Sequence, residues 1–157
     1  MKLTKIITSL VLICFVTIVN ADTVQTEGLL VKPSHYSVSE TLDRFESIVK
    51  KKGITVFLRV NHAEGAKKAG LAMEPTELLI FGNPKLGSPL MSSQRTAAID
   101  LPLKAIAWQD KEGKVWLAYN TPAYIAKRHG INDQQGVIKK MTGALNKFSD
   151  FATKKAD

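Results

Sequence analysis

The N-terminal apolar segment is the feature that most constrains this chain, because it contains the only cysteine. Lys2 and Lys5 precede an uncharged, mainly aliphatic run over residues 6–19, and the small residue Ala21 follows it. This order of parts predicts a signal peptide over residues 1–21 and a mature chain over 22–157. The run is shorter than the roughly 20 residues that a bilayer-spanning helix needs, so an uncleaved anchor is the less favoured alternative.

Cleavage of such a signal removes Cys14 and leaves the mature chain without a thiol. Disulfides, thiol catalysis and cysteine-ligated zinc are then excluded. The small residues that precede a lipoprotein cysteine are missing before Cys14, so lipid attachment is not expected. The chain is predicted to be exported, either periplasmic or secreted, and long enough to fold as a single domain around an ordinary core.

The chain is basic, with 22 Lys and Arg against 14 Asp and Glu and a formal net charge of +8. Loss of Lys2 and Lys5 lowers that charge to +6. Most of the remaining lysines that lie close together fall at 50–52, 67–68, 139–140 and 154–155. Solvated helix ends are the favoured explanation, because lysines stabilise the last turn of a helix. An anionic lipid or polysaccharide surface is the alternative partner, whereas nucleic acid is not expected for an exported protein.

Apolar periodicity places the first elements of the mature chain. An extended stretch around residues 29–31 is followed by an amphipathic helix over 39–52, with Ser37 and Glu40 at capping-box spacing and Ser39 as a competing cap. Alternation then predicts a strand over 54–60 with one aliphatic face. A short helix over 62–69, capped by Asn61 and Glu64, comes next.

The second half of the mature chain holds most of the predicted sheet. Residues 77–81 are apolar at four consecutive positions, as expected for a strand covered on both faces. Residues 85–101 are irregular, with one or two helical turns within 89–98. The other predicted elements are strands over 103–109 and 114–120 that form a hairpin with Trp108 and Trp116, a helix from Pro122 to His129, and a last helix capped by Asp133.

These elements define an α+β class, because the closing hairpin makes the sheet at least partly antiparallel. We expect a single compact domain over residues 22–157, with helices packed on a curved, largely antiparallel sheet.

Several consecutive strings then point to one family. They are NHAEGA at 61–66, GLAMEPTELLIFGNPK at 70–85, GSPLM at 87–91, AIDLPLK at 98–104 and VWLAYN at 115–120. Together these strings resemble the domain of unknown function 302 family, most tightly over residues 54–125. The resemblance implies a compact α+β unit and a homodimer, and it implies no settled activity. It also suggests haem b as a ligand to test.

Three residues are candidate ligands for a haem iron. His62 is predicted in the first turn of a helix, where the positive helix terminus favours a neutral imidazole that can bind a metal. Met73 and Met91 lie in the same family segment, and a thioether can serve as a second axial ligand. The ordinary roles compete with this reading, since such a histidine is usually solvated and methionine usually fills a core. No CxxCH motif is present, which excludes covalent haem attachment.

The loop over residues 82–88 (GNPKLGS) is the other candidate site. Its glycines permit close backbone approach, and Lys85 adds a positive charge, so Asn83, Lys85 and Ser88 with His62 form the predicted ligand-binding set. The Gly-Lys-Ser/Thr ending of a P-loop is absent. A purely structural turn is the competing interpretation.

Catalysis is the least favoured function. No Gly-x-Ser-x-Gly elbow, HExxH motif or acidic cluster is present, and Ser88, His62 and Asp100 are only loose candidates for a hydrolytic triad. The sequence therefore predicts no catalytic residue. It favours an exported, non-catalytic binding or accessory protein with a small ligand, ahead of an interaction module for an envelope partner or anionic surface, and ahead of a weak hydrolase.

Overall fold

The computed structural model describes residues 26–155. Five strands form one sheet: β1 (Leu29–Ser34), β2 (Thr55–Asn61), β3 (Thr76–Gly82), β4 (Leu103–Gln109) and β5 (Val115–Asn120). Their spatial order is β1-β5-β4-β3-β2, and every neighbouring pair is antiparallel. The predicted α+β class with a largely antiparallel sheet is confirmed. The predicted signal peptide lies outside the described residues.

Five α-helices and one short 3₁₀ helix complete the described part of the chain. They are α1 (Val38–Lys51), α2 (His62–Lys68), α3 (Pro84–Ser93), a 3₁₀ helix (Arg95–Ile99), α4 (Pro122–His129) and α5 (Gln135–Thr153). Within residues 26–155, none of these helices is long and apolar enough to cross a membrane.

The predicted helix starts are confirmed at α1 and α2. Ser37 accepts the backbone N–H of Glu40 at 3.2 Å, and Asn61 accepts that of Glu64 at 2.8 Å. Each bond satisfies an amide that the first turn leaves without a helical partner. The helix α4 ends where expected, at Gly130 with a φ of 67°.

The prediction that Asp133 caps the last helix is wrong. The helix α5 begins at Gln135, and no side chain caps it. Asp133 instead accepts a hydrogen bond from the Ser93 hydroxyl at 2.5 Å, which holds the pKa of that carboxyl below its ordinary value. The segment predicted as irregular is also more regular than expected, because α3 continues through Pro89.

The predicted single aliphatic face of β2 is wrong as well, because a β-bulge interrupts the strand. Val56 pairs with Phe81 and Leu58 pairs with Ile80, so Phe57 is an extra residue without a partner on β3. A bulge of this kind moves the residues after it to the other face. Val56 therefore packs with the core under the helices, while Leu58 is 53% exposed.

The main core lies between the sheet and the two long helices. Leu42, Phe45 and Val49 of α1 and Leu145 and Phe148 of α5 pack on one face of the sheet. The sheet side chains that meet them are Leu79, Phe81, Ala105, Ala107, Leu117 and Tyr119. A second cluster joins α3, the 3₁₀ helix, α4 and the start of α5, and includes Leu90, Ala97, Ala126, Ile131 and Met141.

The opposite face of the sheet, here called the open face, carries the alternate residues of the five strands. Both long helices lie on the other side. The apolar side chains of the open face are Leu29, Val31, Leu58, Val60, Leu78, Ile80, Ile106, Trp108, Trp116 and Ala118. Leu29, Val31 and Leu58 are at least about one-third exposed, and Leu78 and Ile80 are half-buried. The strand over residues 77–81 is therefore fully covered on the face of Leu79 and Phe81 and only partly covered on the open face within the described chain.

The predicted hairpin is confirmed, and its tryptophans form a cross-strand pair. Trp108 lies directly opposite Trp116. The indole N–H of Trp116 donates to Asp110 at 2.6 Å, and this bond is the main reason why the pKa of Asp110 is lowered. Lys114 lies over the Trp116 ring at 4.1 Å.

Most of the lysines that lie close together are at solvated helix ends, as favoured from the sequence. Lys50 lies in the last turn of α1 and Lys68 in the last turn of α2, each beside a glutamate one turn earlier. Lys154 follows α5 and pairs with Asp150 at 3.3 Å. Residues 139–140 differ, because they lie within α5 about one turn from its start.

Candidate functional site

A cavity of about 290 Å³ opens where the two cores meet, between α3, α5 and one end of the sheet. Its lining is almost entirely apolar. The sheet contributes Phe81 and Gly82, α3 contributes Leu86, Gly87, Ser88 and Met91, and α5 contributes Met141, Ala144, Leu145 and Phe148. Ile54, Phe57, Asn83, Pro84, Leu101, Pro102 and Leu103 complete the wall.

The bulge in β2 and a glycine in β3 shape the outer wall of this cavity. Phe57, the unpaired residue of the bulge, is 55% exposed and lines the cavity. A Cβ added to Gly82 would lie 3.5 Å from the Phe57 ring and 3.3 Å from Pro102 Cβ. The missing side chain at Gly82 therefore leaves room for Phe57 and Pro102 at the sheet edge.

The cavity offers few polar groups and no charged one. No Lys, Arg, His, Asp or Glu is among its lining residues. Asn83 lines the wall, but its side-chain oxygen already accepts the backbone N–H of Lys85 at 2.9 Å. Ser88 is exposed, and its hydroxyl is free of hydrogen-bond partners within residues 26–155. A ligand here would be held by apolar contact, with Ser88 as the free hydroxyl.

The structure brings together three of the residues predicted from the sequence. Asn83, Ser88 and Met91 all line the cavity. Lys85 is exposed in the first turn of α3 and is not part of the wall. The loop prediction therefore located the cavity, but the wall holds no charge for an anion.

His62 and Met73 lie elsewhere. His62 directly follows Asn61, which pairs with Glu77, whereas the cavity begins at Gly82. Five strand residues separate these two ends, or about 17 Å at the usual rise. Met73 is 52% exposed near α2. The structure therefore does not bring His62, Met73 and Met91 together around one iron, and residues 26–155 contain no cluster of three metal-ligating His, Cys, Asp or Glu side chains.

The loose triad candidates Ser88, His62 and Asp100 are also separated. Asp100 instead accepts from His129 Nε2 at 2.7 Å and from Arg128 at 3.1 Å. His129 Nδ1 lies 3.0 Å from the Thr96 hydroxyl. This order resembles that of a hydrolytic triad. However, Arg128 also neutralises the carboxylate, and the cavity wall does not include Thr96.

The contacts of Asp100 are better explained as a bracket that ties the 3₁₀ helix to α4. The side chains of Asp100 and His129 are only 10% and 6% exposed, so their bond is well shielded from water. Asp100 also directly precedes Leu101, which lines the cavity. The bracket therefore supports one wall of the cavity.

Asp100→Ala is expected to destabilise the fold by about 2–3 kcal/mol, because it leaves the buried His129 without its charge-assisted partner. Urea unfolding of the single variants and of Asp100→Ala/His129→Ala measures this effect. A coupling energy of about 1 kcal/mol or more is expected between the two residues. Additive losses would contradict the bracket.

The sequence signals the remaining wall residues only in part. Met141, Leu145 and Phe148 recur at four- and three-residue intervals in the sequence, which is the spacing of one apolar helix face. This spacing predicts that the three residues are buried, but not that they face α3. Phe57 was missed because the bulge has no signature in the alternation of residues 54–60.

Comparison with known proteins places this α+β unit in a family. Residues 30–148 match the family described as "Domain of unknown function DUF302". The chain belongs to this family, which confirms the resemblance.

Curated relatives share this unit within longer chains. The chain is 48% identical over 126 residues to "Fluoride-specific ion channel FluC 1" of Brucella suis biovar 1 (strain 1330), across 78% of this chain and 50% of that protein. It has the same identity to "Fluoride-specific ion channel FluC 2" of Brucella melitensis biotype 1 (strain ATCC 23456 / CCUG 17765 / NCTC 10094 / 16M), across 47% of that protein. The chain thus spans about half the length of the curated relatives it matches.

A solved structure shares the fold. It is the "Crystal structure of uncharacterized conserved protein DUF302 from Bacillus stearothermophilus", with a TM-score of 0.72 and 17% sequence identity. The match covers 81% of this chain and 99% of that chain. At this identity the likeness concerns the fold alone.

Proposed function

We propose that this chain is a non-catalytic binding protein that holds a small, mainly apolar ligand in the cavity between α3 and α5. The cavity itself carries the proposal, because its volume of about 290 Å³ is bounded almost wholly by apolar side chains. An apolar molecule that fills it removes its own surface and that of the wall from water, which stabilises the complex.

The volume sets the size of the ligand. An apolar cavity of roughly 150 Å³ holds benzene, so this one suits about a dozen non-hydrogen atoms. A medium-length alkyl chain or two fused rings would fit, with one polar atom near the free hydroxyl of Ser88. The absence of charged wall residues favours a ligand whose buried part is uncharged.

Haem b fits this site poorly. A porphyrin has several times the number of atoms that the cavity can enclose. Of the three iron ligands proposed from the sequence, only Met91 lines the wall. We therefore do not expect haem to be the ligand, although it can be tested as a competitor.

Calorimetric titration with linear alcohols from hexanol to decanol tests the proposal. Saturable one-to-one binding is expected, with affinity rising about fourfold for each added methylene until the chain outgrows the cavity. The same alcohols should raise the melting temperature. Titration with haem runs in parallel, and a Soret shift that is lost in Met91→Leu would favour haem. If no alcohol binds or stabilises the protein, the proposal is wrong.

A second candidate function is that of an accessory unit beside a membrane ion channel. The relatives that favour it carry this same unit within a chain about twice as long, and their names describe fluoride-specific ion channels. This chain would then bind such a channel as a separate protein. That role corresponds to the interaction module for an envelope partner that the sequence leaves open.

Reconstitution tests that candidate. Fluoride efflux from liposomes containing a FluC channel is measured with a fluoride electrode, with and without this protein. A changed efflux rate that depends on protein concentration would support the accessory role. An unchanged rate, together with no co-purification, would contradict it.

Export and self-association complete the proposal. We expect the purified protein to begin at Asp22, which N-terminal sequencing can check, and to act in the periplasm or outside the cell. We also propose that it is a homodimer.

A further inference from the structure

The exposed residues of the cavity wall mark its mouth. They are Phe57, Pro84, Ser88 and Pro102. The inner part of the wall consists of buried side chains, among them Phe81, Leu145 and Phe148. Because this inner part has no group that could pair with a charge, an ionised group of a ligand would remain at the mouth, where water solvates it.

The α3 side of the mouth carries a free hydroxyl and a free ammonium group. Ser88 is exposed there, and its hydroxyl has no hydrogen-bond partner within residues 26–155. Lys85 lies three residues earlier in the same helix, which makes the two side chains neighbours on the helix surface. The Lys85 ammonium group has no ion-pair or hydrogen-bond partner in this part of the chain. Both groups can therefore donate to the same anion.

The α5 side of the mouth is basic as well. Ala144 is the half-buried wall residue of this helix. Lys140 lies four residues before it and Lys147 three residues after it, so both lysines lie on the Ala144 side of α5. Lys52, two residues before Ile54 of the wall, adds a cation from the end of α1. All three lysines are exposed, and their ammonium groups have no partner within the described chain. Free cations therefore flank the mouth on three elements.

No carboxylate competes for these lysines. The segments that contain most of the wall residues lack Asp and Glu altogether, and they are residues 47–63, 78–99 and 134–149. Asp100 directly precedes the remaining wall segment, but its carboxylate is paired with both Arg128 and His129. Glu46 of α1 is paired with Lys50. Charges of one sign around an apolar cleft attract an ion of the opposite sign, so the mouth favours an anion.

We propose that the ligand of this cavity is an ionised medium-chain fatty acid. The inference rests on the binding function proposed above and names the chemical class of its ligand. The alkyl chain fills the apolar cavity. The carboxylate stays at the mouth, where it accepts a hydrogen bond from Ser88 and is attracted by Lys85, Lys140 and Lys147. A saturated acid of about ten carbons has about a dozen non-hydrogen atoms, which suits the volume of about 290 Å³.

Calorimetric titration with decanoate, decanol and decyltrimethylammonium tests the ligand class, because the three molecules share one alkyl chain and differ in the charge of the head. At about pH 8 and low salt the acid is ionised. Decanoate should bind about tenfold more tightly than decanol, and the cation about tenfold more weakly. The ratio of the decanoate and decanol affinities should fall to about two at roughly 1 M NaCl, where the screening length is about 3 Å.

The variant Lys85→Gln/Lys140→Gln/Lys147→Gln tests where the carboxylate lies. The ratio of the decanoate and decanol affinities should fall from about ten to about two or less, because the charges that distinguish the two heads are gone. Decanol is titrated into the same sample, so a variant that fails to fold is recognised by the loss of both affinities. Ser88→Ala should lower the decanoate affinity several-fold through the lost hydrogen bond.

The matched control is Lys67→Gln/Lys111→Gln/Lys155→Gln, which removes the same net charge away from the mouth. Lys67 and Lys111 lie beyond the strand ends opposite the cavity, and Lys155 follows α5. All three are exposed, and their ammonium groups have no partner within residues 26–155. The control should keep the tenfold preference for decanoate, since exposed charges farther away than the screening length contribute little.

Each failure has a distinct meaning. If the unmodified protein binds neither decanol nor decanoate, the binding function itself is wrong. If decanol binds as tightly as decanoate at low salt, the cavity remains an apolar site and the fatty acid is overturned. A preference for decanoate that persists without the three mouth lysines would also overturn it. Tighter binding of 1-decanoyl-lysophosphatidylglycerol than of decanoate would assign the chain to an anionic lipid and exclude the free acid.

Discussion

Gly87→Leu is expected to weaken ligand binding strongly while making the fold more stable. Gly87 lies in α3 on the cavity wall, and an added Cβ would meet Leu101 and Met91 at 3.8 and 3.9 Å, which is ordinary contact distance. The leucine side chain would therefore enter the cavity and take roughly a third of its room. We expect decanol affinity to fall by about 100-fold or more, since about four methylenes lose their place.

The same substitution should increase the stability of the fold, although it weakens binding. Replacing glycine within a helix gains about 1 kcal/mol of helix propensity, and filling the cavity restores lost packing. Calorimetric titration and urea unfolding of the same sample measure both effects. The matched control is Gly143→Leu in α5, where an added Cβ meets nothing within 4 Å. It should gain the helix propensity and bind decanol normally. A stable Gly87→Leu protein with unchanged affinity would show that the ligand binds elsewhere.

The parts of the fold that were predictable are those governed by local chemistry. The Ser37 and Asn61 caps each depend on a side chain and an amide three residues later. The end of α4 at Gly130 depends on one left-handed residue. Such signals are complete within a few residues of sequence. They fixed the order and approximate bounds of most elements.

The sequence misleads where contacts between distant residues decide the local structure. Aspartate is a common helix cap, and Asp133 lies at the right place in the sequence. In the structure its carboxylate instead accepts a hydrogen bond from the hydroxyl of Ser93, 40 residues earlier. The apolar run at 77–81 predicts burial of both faces of β3, yet it cannot say what covers the second face. The bulge at Phe57 changes the side on which Leu58 lies, although the residue pattern continues without interruption.

The candidate site was predictable in the same partial way. The loop signal at residues 82–88 led to Asn83 and Ser88, which line the cavity. His62 seemed close because it belongs to the same family segment. The antiparallel register of β2 and β3 places it at the far end of the strands. The α5 side of the wall comes from residues more than 50 positions away, and single-sequence periodicity holds no information on that contact.

Phe45→Ala is expected to produce the largest loss of stability of any single truncation proposed for this chain. Phe45 is fully buried, and its ring makes edge contacts with Phe81 and Phe148 at centroid distances of 5.2 and 6.3 Å. Removing a buried phenylalanine ring costs about 3–5 kcal/mol, which is a large part of the 5–15 kcal/mol that holds a typical domain together. Urea unfolding should show a lower midpoint with an unchanged slope.

Comparison with Phe57→Ala distinguishes the contribution of the core from that of the cavity mouth. Phe57 is 55% exposed and has no cross-strand partner, so its truncation should cost less than about 1 kcal/mol. It still removes part of the cavity wall, and decanol affinity should therefore fall several-fold. Phe45→Ala should have the opposite profile, with a large loss of folding stability and little change in decanol affinity. Its two ring neighbours, Phe81 and Phe148, line the cavity and remain in place. Equal losses of stability in the two variants would contradict this division, since they would mean that the bulged aromatic is as much a part of the core as the ring between α1 and the sheet.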